Sequence, residues 1–341
     1  MADSALEATV AGSFGSPGIR VRRAVSGWPD PPPMAGRRVV ITGATSGLGR
    51  AAAERMARLG AELTIIGRDP ERTRAVAAAI EQGAAEQGAA EQGAAGQRGV
   101  GQGAAPAGRV RVRVRIADLT SLSATRTVAQ ELVADDGPLD VLVHNAGALV
   151  PRHVPTAEGF ESTWAAQVLS PHVLTTALLD RLAAAGGRVL TMSSGGMYTQ
   201  RLDPDRMQLP EDGYDGVRAY ALAKRAQVVM TQEWARRFPG AVAFHSMHPG
   251  WADTPGVQQS LPTFRRVTRP ILRTPAEGAD TLVWLAAVPQ VPGPSGSFWL
   301  DRRPRSTVRL PGTSATAAEH AALWDLVCRQ SGAEPTPVER P

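Results

Sequence analysis

The 341-residue sequence predicts a single doubly wound α/β domain, with helices on both faces of a parallel sheet of about seven strands. Three observations predict it. Val39-Val40-Ile41 is a short apolar run that ends in a glycine-rich turn, and helical periodicity follows from Leu48 to Leu59. A second apolar run, Glu62 to Ile66, comes directly after, so strand, turn, helix and strand fit within about 30 residues as one βαβ unit. Further apolar runs alternate with helical stretches, and continuous runs of this kind belong to strands buried on both sides.

The remaining elements follow in chain order. Residues 1–35 carry Gly, Ser and a Pro31–Pro33 run without a sustained period, so they are expected to form a disordered arm, with Ile19, Val21 and Val25 as its packing candidates. The folded domain is expected over 36–330. Asp69 is placed to cap a helix through Ile80. Residues 81–95 are three copies of Glu-Gln-Gly-Ala-Ala, and 81–108 reads as a low-complexity insertion, either a surface loop or a frayed extension of the preceding helix. Arg109 to Ile116 alternates Arg with Val or Ile, which suits a strand with one wet face near a sheet edge. Leu139 to Val143, Arg188 to Met192, Ala241 to Met247 and Ser297 to Leu300 read as further strands. Helices are expected over Thr156 to Leu182, kinked at Ser170-Pro171, over Val217 to Phe238 and over Pro275 to Ala287. Residues 331–341 read as a flexible tail.

Composition narrows the function classes. Hydrophobic residues make up 43% and charged residues 20%, ordinary values for a globular chain. The net charge of +5 comes from arginines spread along the chain, without the aromatic-interleaved stripe of a nucleic-acid surface, so no nucleic-acid partner is expected. Cys328 is the single cysteine, so no intrachain disulfide can form. The histidines lack metal-ligand spacing, and no metal is expected. No apolar run is long enough to span a bilayer and no apolar signal core follows the first residues, so the expected location is the cytoplasm.

The chemistry concentrates in a few places. Lys224 is the only lysine in the sequence, and it follows Tyr220 by four positions, which puts both heads on one helix face. An ammonium beside a phenol is a candidate acid–base pair, because a free phenol titrates near pH 10 and needs a positive neighbour to share its proton near neutrality. Thr42 to Gly49 contains Gly43, Thr45, Ser46, Gly47, Leu48 and Gly49 between a strand and a helix, where backbone amides can approach a pyrophosphate. Such a turn is the mark of a Rossmann-type dinucleotide site. Arg68 ends the second strand where an NAD site offers an acid, so NADP is the expected cofactor, with NAD the lesser candidate. Asp118 and Leu119 follow the third strand and are candidates for the adenine. Asn145-Ala146-Gly147 follows the fourth, and its small residues let a cofactor pass close by.

Together these residues resemble the short-chain dehydrogenase/reductase family, with its TGxxxGxG turn, NAG, serine after the fifth strand and YxxxK, in order over residues 37 to about 300. Ser193 to Met197 and His248 to Gly256 are similar to the family's member-twelve branch. The resemblance implies Tyr220 as general acid or base and Lys224 as the charge that assists it and holds the ribose. It implies Ser194 as the hydroxyl that holds the substrate oxygen, with Ser193 as the alternative. Pro249, Gly250 and Thr254 match the segment that contacts the nicotinamide. Gln167 stands where the family has a relay asparagine, a departure that bears on the proton relay. The implied substrate is a small carbonyl or alcohol, and the implied assembly a homodimer or homotetramer. Met197, Tyr198, Trp251 and Phe264 are candidates for an apolar pocket. The rival reading is a non-catalytic NADP sensor on the same fold. A nucleotide-sugar epimerase fits poorly for want of a C-terminal substrate domain.

Overall fold

The structure, a computed structural model, describes Leu6 and residues 9–97, 110–135 and 137–336. The sheet has eight strands in the order β3-β2-β1-β4-β5-β6-β7-β8. They are β1 (Arg38–Thr42), β2 (Glu62–Gly67), β3 (Val112–Ile116), β4 (Val141–His144), β5 (Arg188–Met192), β6 (Ala243–Met247), β7 (Phe298–Leu300) and β8 (Arg303–Arg305). All neighbours run parallel except β7 and β8. The parallel sheet is as the sequence predicts; the short antiparallel β8 is the addition. The outer strands are β3, which alternates Arg113 and Arg115 with apolar residues, and β8, which reads Arg-Pro-Arg.

In chain order the helices are α1 (Val10–Phe14), α2 (Ser16–Ser26), α3 (Gly47–Arg58), α4 (Pro70–Gln97), α5 (Leu122–Val133), α6 (Ser162–Trp164), α7 (Ser170–Ala184), α8 (Gly216–Arg237), α9 (Pro255–Ser260), α10 (Pro262–Thr268), α11 (Pro275–Ala287) and α12 (Ala317–Ser331). One face of the sheet is covered by α3, α4 and α11, around Met56, Ile80 and Leu282. The other is covered by α5, α7, α8 and α12, around Leu132, Leu178, Trp234 and Leu323. Strand order reverses between β1 and β4, and in such sheets the crevice outside the carboxyl ends at that point receives the ligand.

Two terminal segments differ from the sequence expectation, and the inserted one takes one of its two expected forms. The described part of the 1–35 arm is helical and packed: Phe14, Ile19 and Met34 are buried, although Val25 stays exposed. Helix α4 runs through all three copies of the Glu-Gln-Gly-Ala-Ala repeat to Gln97, so of the two readings the helical extension applies; 98–108 lie outside the described residues. Ser331, where a flexible tail was expected to start, closes α12 and is fully buried, and Arg126 and His172 bond the Ser331 and Ala333 carbonyls. Residues 337–341 lie outside the described residues.

The kink expected at Ser170-Pro171 takes the form of a π-helical turn, Ala165–Leu169, between α6 and α7. Pro171 has no N–H to give the Gln167 carbonyl four residues back. That carbonyl instead accepts from Gln227 Nε2 at 2.7 Å. A proline break in one helix has become a tie to another.

Candidate active site

The glycine turn begins at Gly43, whose φ of +69° is left-handed and whose missing Cβ would come within 2.7 Å of Ala146 Cα. Only glycine meets both conditions. A Cβ on Gly49 would run into the Asn145 amide, which holds the turn by donating to the Thr42 and Gly43 carbonyls at 3.1 and 3.0 Å. Asn145 therefore fastens β4 to the end of β1. Ser46 precedes α3 without capping it, which leaves the first amides of that helix unclaimed by a side chain. A cradle without Cβ atoms, at an uncapped helix N-terminus, fits the pyrophosphate of a dinucleotide. Thr254 closes the far side: its Cβ lies 3.4 Å from where Gly47 would carry one, and its Oγ1 caps α9 by accepting from Val257 N at 3.3 Å.

The carboxyl ends of β2 and β3 are less enclosed. Arg68 is exposed at the end of β2, and neighbouring Asp69 is committed as the cap of α4, accepting from Arg72 N at 2.8 Å. Asp118 is exposed and accepts from the Thr120 amide and hydroxyl at 3.0 and 2.9 Å, while Leu119 is buried and its carbonyl accepts from Ser170.

Helix α8, capped by Asp215, delivers Tyr220 and Lys224 to the carboxyl end of β5. Lys224 Nζ lies 5.3 Å from the Tyr220 ring centroid and donates to the Met192 carbonyl at 2.9 Å and to Gln227 Oε1 at 3.0 Å. Lys224 is 2% exposed, and burial pulls its pKa down to about 7. Part of the Tyr220 surface stays open, yet its surroundings are dense enough that desolvation pushes the phenol up to about 12, against the opposing hydrogen bond with Ser194. The two serines point differently. Ser193 donates to the Lys224 carbonyl at 2.9 Å and is locked into the helix backbone, whereas Ser194 is half-buried beside the Tyr220 hydroxyl.

Gln167 is 1% exposed; its Nε2 donates to the Ala148 carbonyl at 2.9 Å. Its Oε1 is buried without a partner among the described residues and lies 2.9 Å from where Gly147 would carry a Cβ. A buried acceptor left open beside the Asn145–Gly147 loop can take a further donor. Gln227, unnoticed in the sequence, links the two halves of the site: it accepts from Lys224 and donates to Gln167 O. Its signal was available, since it lies three residues after Lys224 on the same helix face.

One other expectation changes. Met197 and Tyr198 are 0% and 5% exposed and belong to an interior cluster with Phe14 and Phe298, so they do not line an open pocket; Trp251 packs edge-on against Phe264 at 5.2 Å. The polar Arg201–Gly216 stretch buries Leu202 and Met207 in the core. His248 marks only the start of a family-like stretch in the sequence. Its Nδ1 accepts from Gly250 N at 3.2 Å, which assigns the proton to Nε2, and burial holds its pKa well below the ordinary value.

Comparison with known proteins bears on the family and the fold. Residues 74–287 match the family model described as enoyl-(acyl carrier protein) reductase, and residues 37–92 match the short chain dehydrogenase model. The chain is 37% identical over 295 residues to dehydrogenase/reductase SDR family member 12 of Bos taurus, covering 86% of this chain and 85% of the relative. A crystal structure of an uncharacterized protein from Mycobacterium Paratuberculosis superposes with a TM-score of 0.67 at 27% identity, covering 90% of this chain and 97% of that one. An NAD(P)-dependent gluconate 5-dehydrogenase structure from Beutenbergia cavernae, with NADP bound at low occupancy, gives 0.55 at 27% identity over 75% and 91% of the two chains. With a family model matched over more than half of its length and a relative 37% identical over 86% of it, the chain belongs to the short-chain dehydrogenase/reductase family.

Proposed function

We propose that this protein is an oxidoreductase that moves a hydride between NADP(H) and a carbonyl or alcohol substrate, with Tyr220 as the proton-transferring residue. The observation that carries the reading is the grouping of Ser194, Tyr220 and Lys224 at the carboxyl end of β5, next to a crevice whose glycine cradle fits a dinucleotide. The residues to hold the cofactor are the Gly43–Gly49 turn and Thr254, with Arg68 toward a 2′-phosphate and Lys224 toward the ribose.

When bound, NADPH supplies the hydride, and the chain handles the proton. With its pKa near 12, Tyr220 keeps its proton at neutral pH, which is the form a reductase needs. Ser194 and Tyr220 offer two hydroxyls to one substrate oxygen. As the Tyr220 proton passes to that oxygen, the phenolate left behind faces the Lys224 ammonium, and a solvent proton restores the phenol. Positioned proton transfer of this kind contributes about 10²- to 10⁴-fold to rate. Because Lys224 titrates near 7, the reduction is expected to run best at or below neutral pH.

The test is NADPH oxidation against a panel of aldehydes and ketones, with Tyr220→Phe alongside. Turnover that falls by about 10²-fold or more in the variant supports the reading. Turnover that survives the substitution overturns the assignment of Tyr220, and tight NADPH binding without turnover on any carbonyl favours a sensor.

A further inference from the structure

We infer that the N-terminal segment Ser13–Ser26 is a working part of the cofactor site, a clamp that positions the Pro249–Trp251 loop through Arg22, Asp301 and Arg273. The inference rests on the NADP(H) reading above and adds residues that the family motifs do not contain.

The clamp is built on a strained turn. Asp301 and Arg302 form the two-residue connection between β7 and β8, and both have φ of +55°. Hairpin turns of this shape favour Asn and Gly, so an Asp-Arg pair there carries a local cost that its surroundings must offset. Those surroundings are two buried arginines. Asp301 is 1% exposed and receives Arg22 Nη1 at 2.5 Å and Arg273 Nη1 and Nη2 at 2.6 and 2.9 Å. Arg302 grips the same segment further along, donating to the Pro29 carbonyl at 2.7 Å with its guanidinium 4.9 Å from the Trp28 ring centre.

Arg273 carries the connection from this turn to the cofactor loop. It donates to the Ser13 carbonyl at 3.1 Å, to Gly15 O at 3.2 Å and to Pro249 O at 3.3 Å, so one guanidinium binds the arm and the loop together. The loop closes on the arm directly as well, with Trp251 N donating to Phe14 O at 2.8 Å. Gly250 has φ of +76°, and a Cβ there would lie 2.6 Å from Phe14 O and overlap the Arg273 guanidinium. Phe14 stands edge-on to His248 at 4.4 Å and comes within 3.3 Å of where Gly195, next to Ser194, would carry a Cβ. The arm therefore supports both the loop that meets the cofactor and the loop that carries the substrate-oxygen hydroxyl.

Breaking a buried charge pair and merely unfolding some of the protein give different signatures in a binding titration. The number of sites per chain reports the folded fraction, and Kd reports how well each folded site is shaped. NADPH is titrated into the full-length wild type, Asp301→Asn and Phe14→Leu, following protein fluorescence. Asparagine tolerates positive φ, so Asp301→Asn keeps the turn while removing the negative charge and one of the two oxygens that hold the arginines. The expected result is a Kd for NADPH raised roughly tenfold or more in both variants, at an unchanged number of sites, because small displacements of a positioning loop are costly. A Kd equal to wild type in both variants overturns the inference, and so does a loss confined to the number of sites. A wild type that binds no NADPH overturns the cofactor reading itself, and the clamp falls with it.

Discussion

Replacing Gln227 tests how the buried ammonium of Lys224 is kept charged. That ammonium has two acceptors, the Met192 carbonyl and Gln227 Oε1, at 2.9 and 3.0 Å. Gln227→Leu removes one of them at similar volume. A hydrogen bond to a charged group contributes about 1.5–3 kcal/mol, and 1.36 kcal/mol corresponds to one pH unit, so the Lys224 pKa should drop by about 1–2 from its value near 7. The charged fraction at pH 7 then falls roughly 5- to 50-fold.

The assay is kcat/KM for NADPH across pH 5 to 9, a quantity that follows the free enzyme. Activity requiring the ammonium is lost as pH rises through the Lys224 pKa, so in Gln227→Leu the alkaline limb should move down by about 1–2 pH. Gln227→Glu places a carboxylate at the same spot and should move the limb up. Simple structural damage lowers the whole profile without shifting it, and cannot reverse sign between the two variants. An alkaline limb that stays in place in both variants refutes the argument that Gln227 sustains the charge.

Other substitutions probe separate parts of the structure. Arg68→Ala should weaken NADPH by roughly tenfold, the scale of one charge-assisted contact, and leave NADH unchanged; equal effects on both cofactors would remove Arg68 from the 2′-phosphate. Gly49→Ala drives a methyl into the Asn145 amide and should cost about 1–3 kcal/mol in urea unfolding, together with weaker NADPH binding. Trp164→Ala empties a site that is 1% exposed and breaks the 2.7 Å bond from Nε1 to Gln330 on α12, for a loss of about 3–5 kcal/mol in the same unfolding assay.

The parallel sheet was legible because its signals are local. Val39 to Ile41 is buried on both faces, and a strand of that kind must read as continuous apolar sequence. Tyr220 and Lys224 are visible for a similar reason: helical spacing alone puts them on one face. The arm was not legible, because it is held by charge and backbone rather than by an apolar stripe. Arg22 and Asp301 are 279 residues apart, and no periodicity announces such a pair. Of the three apolar candidates in the arm, Ile19 is buried, while Val21 and Val25 are 40% and 68% exposed. Helix α12 could have been found, since Thr316 and Glu319 form a reciprocal capping box and Gly332 ends the helix with φ of +61°. The role of Pro171 was half legible. A break was predictable, but not that the carbonyl it frees would be taken by Gln227 from another helix.

The two outer strands have a consequence for how the molecule behaves in company. An unpaired strand at a sheet border is a template for another chain. On one border, Arg115 is paired with Glu131 of α5 and with Asp135 just after that helix, at 3.3 and 2.7 Å, so the border strand carries fixed charge. On the other, Pro304 sits between Arg303 and Arg305 and has no amide to offer a neighbour. Growth of the sheet by strand addition is discouraged at both ends, which protects a concentrated solution of the protein from edge-to-edge aggregation and leaves the helical faces as its surfaces for orderly contact.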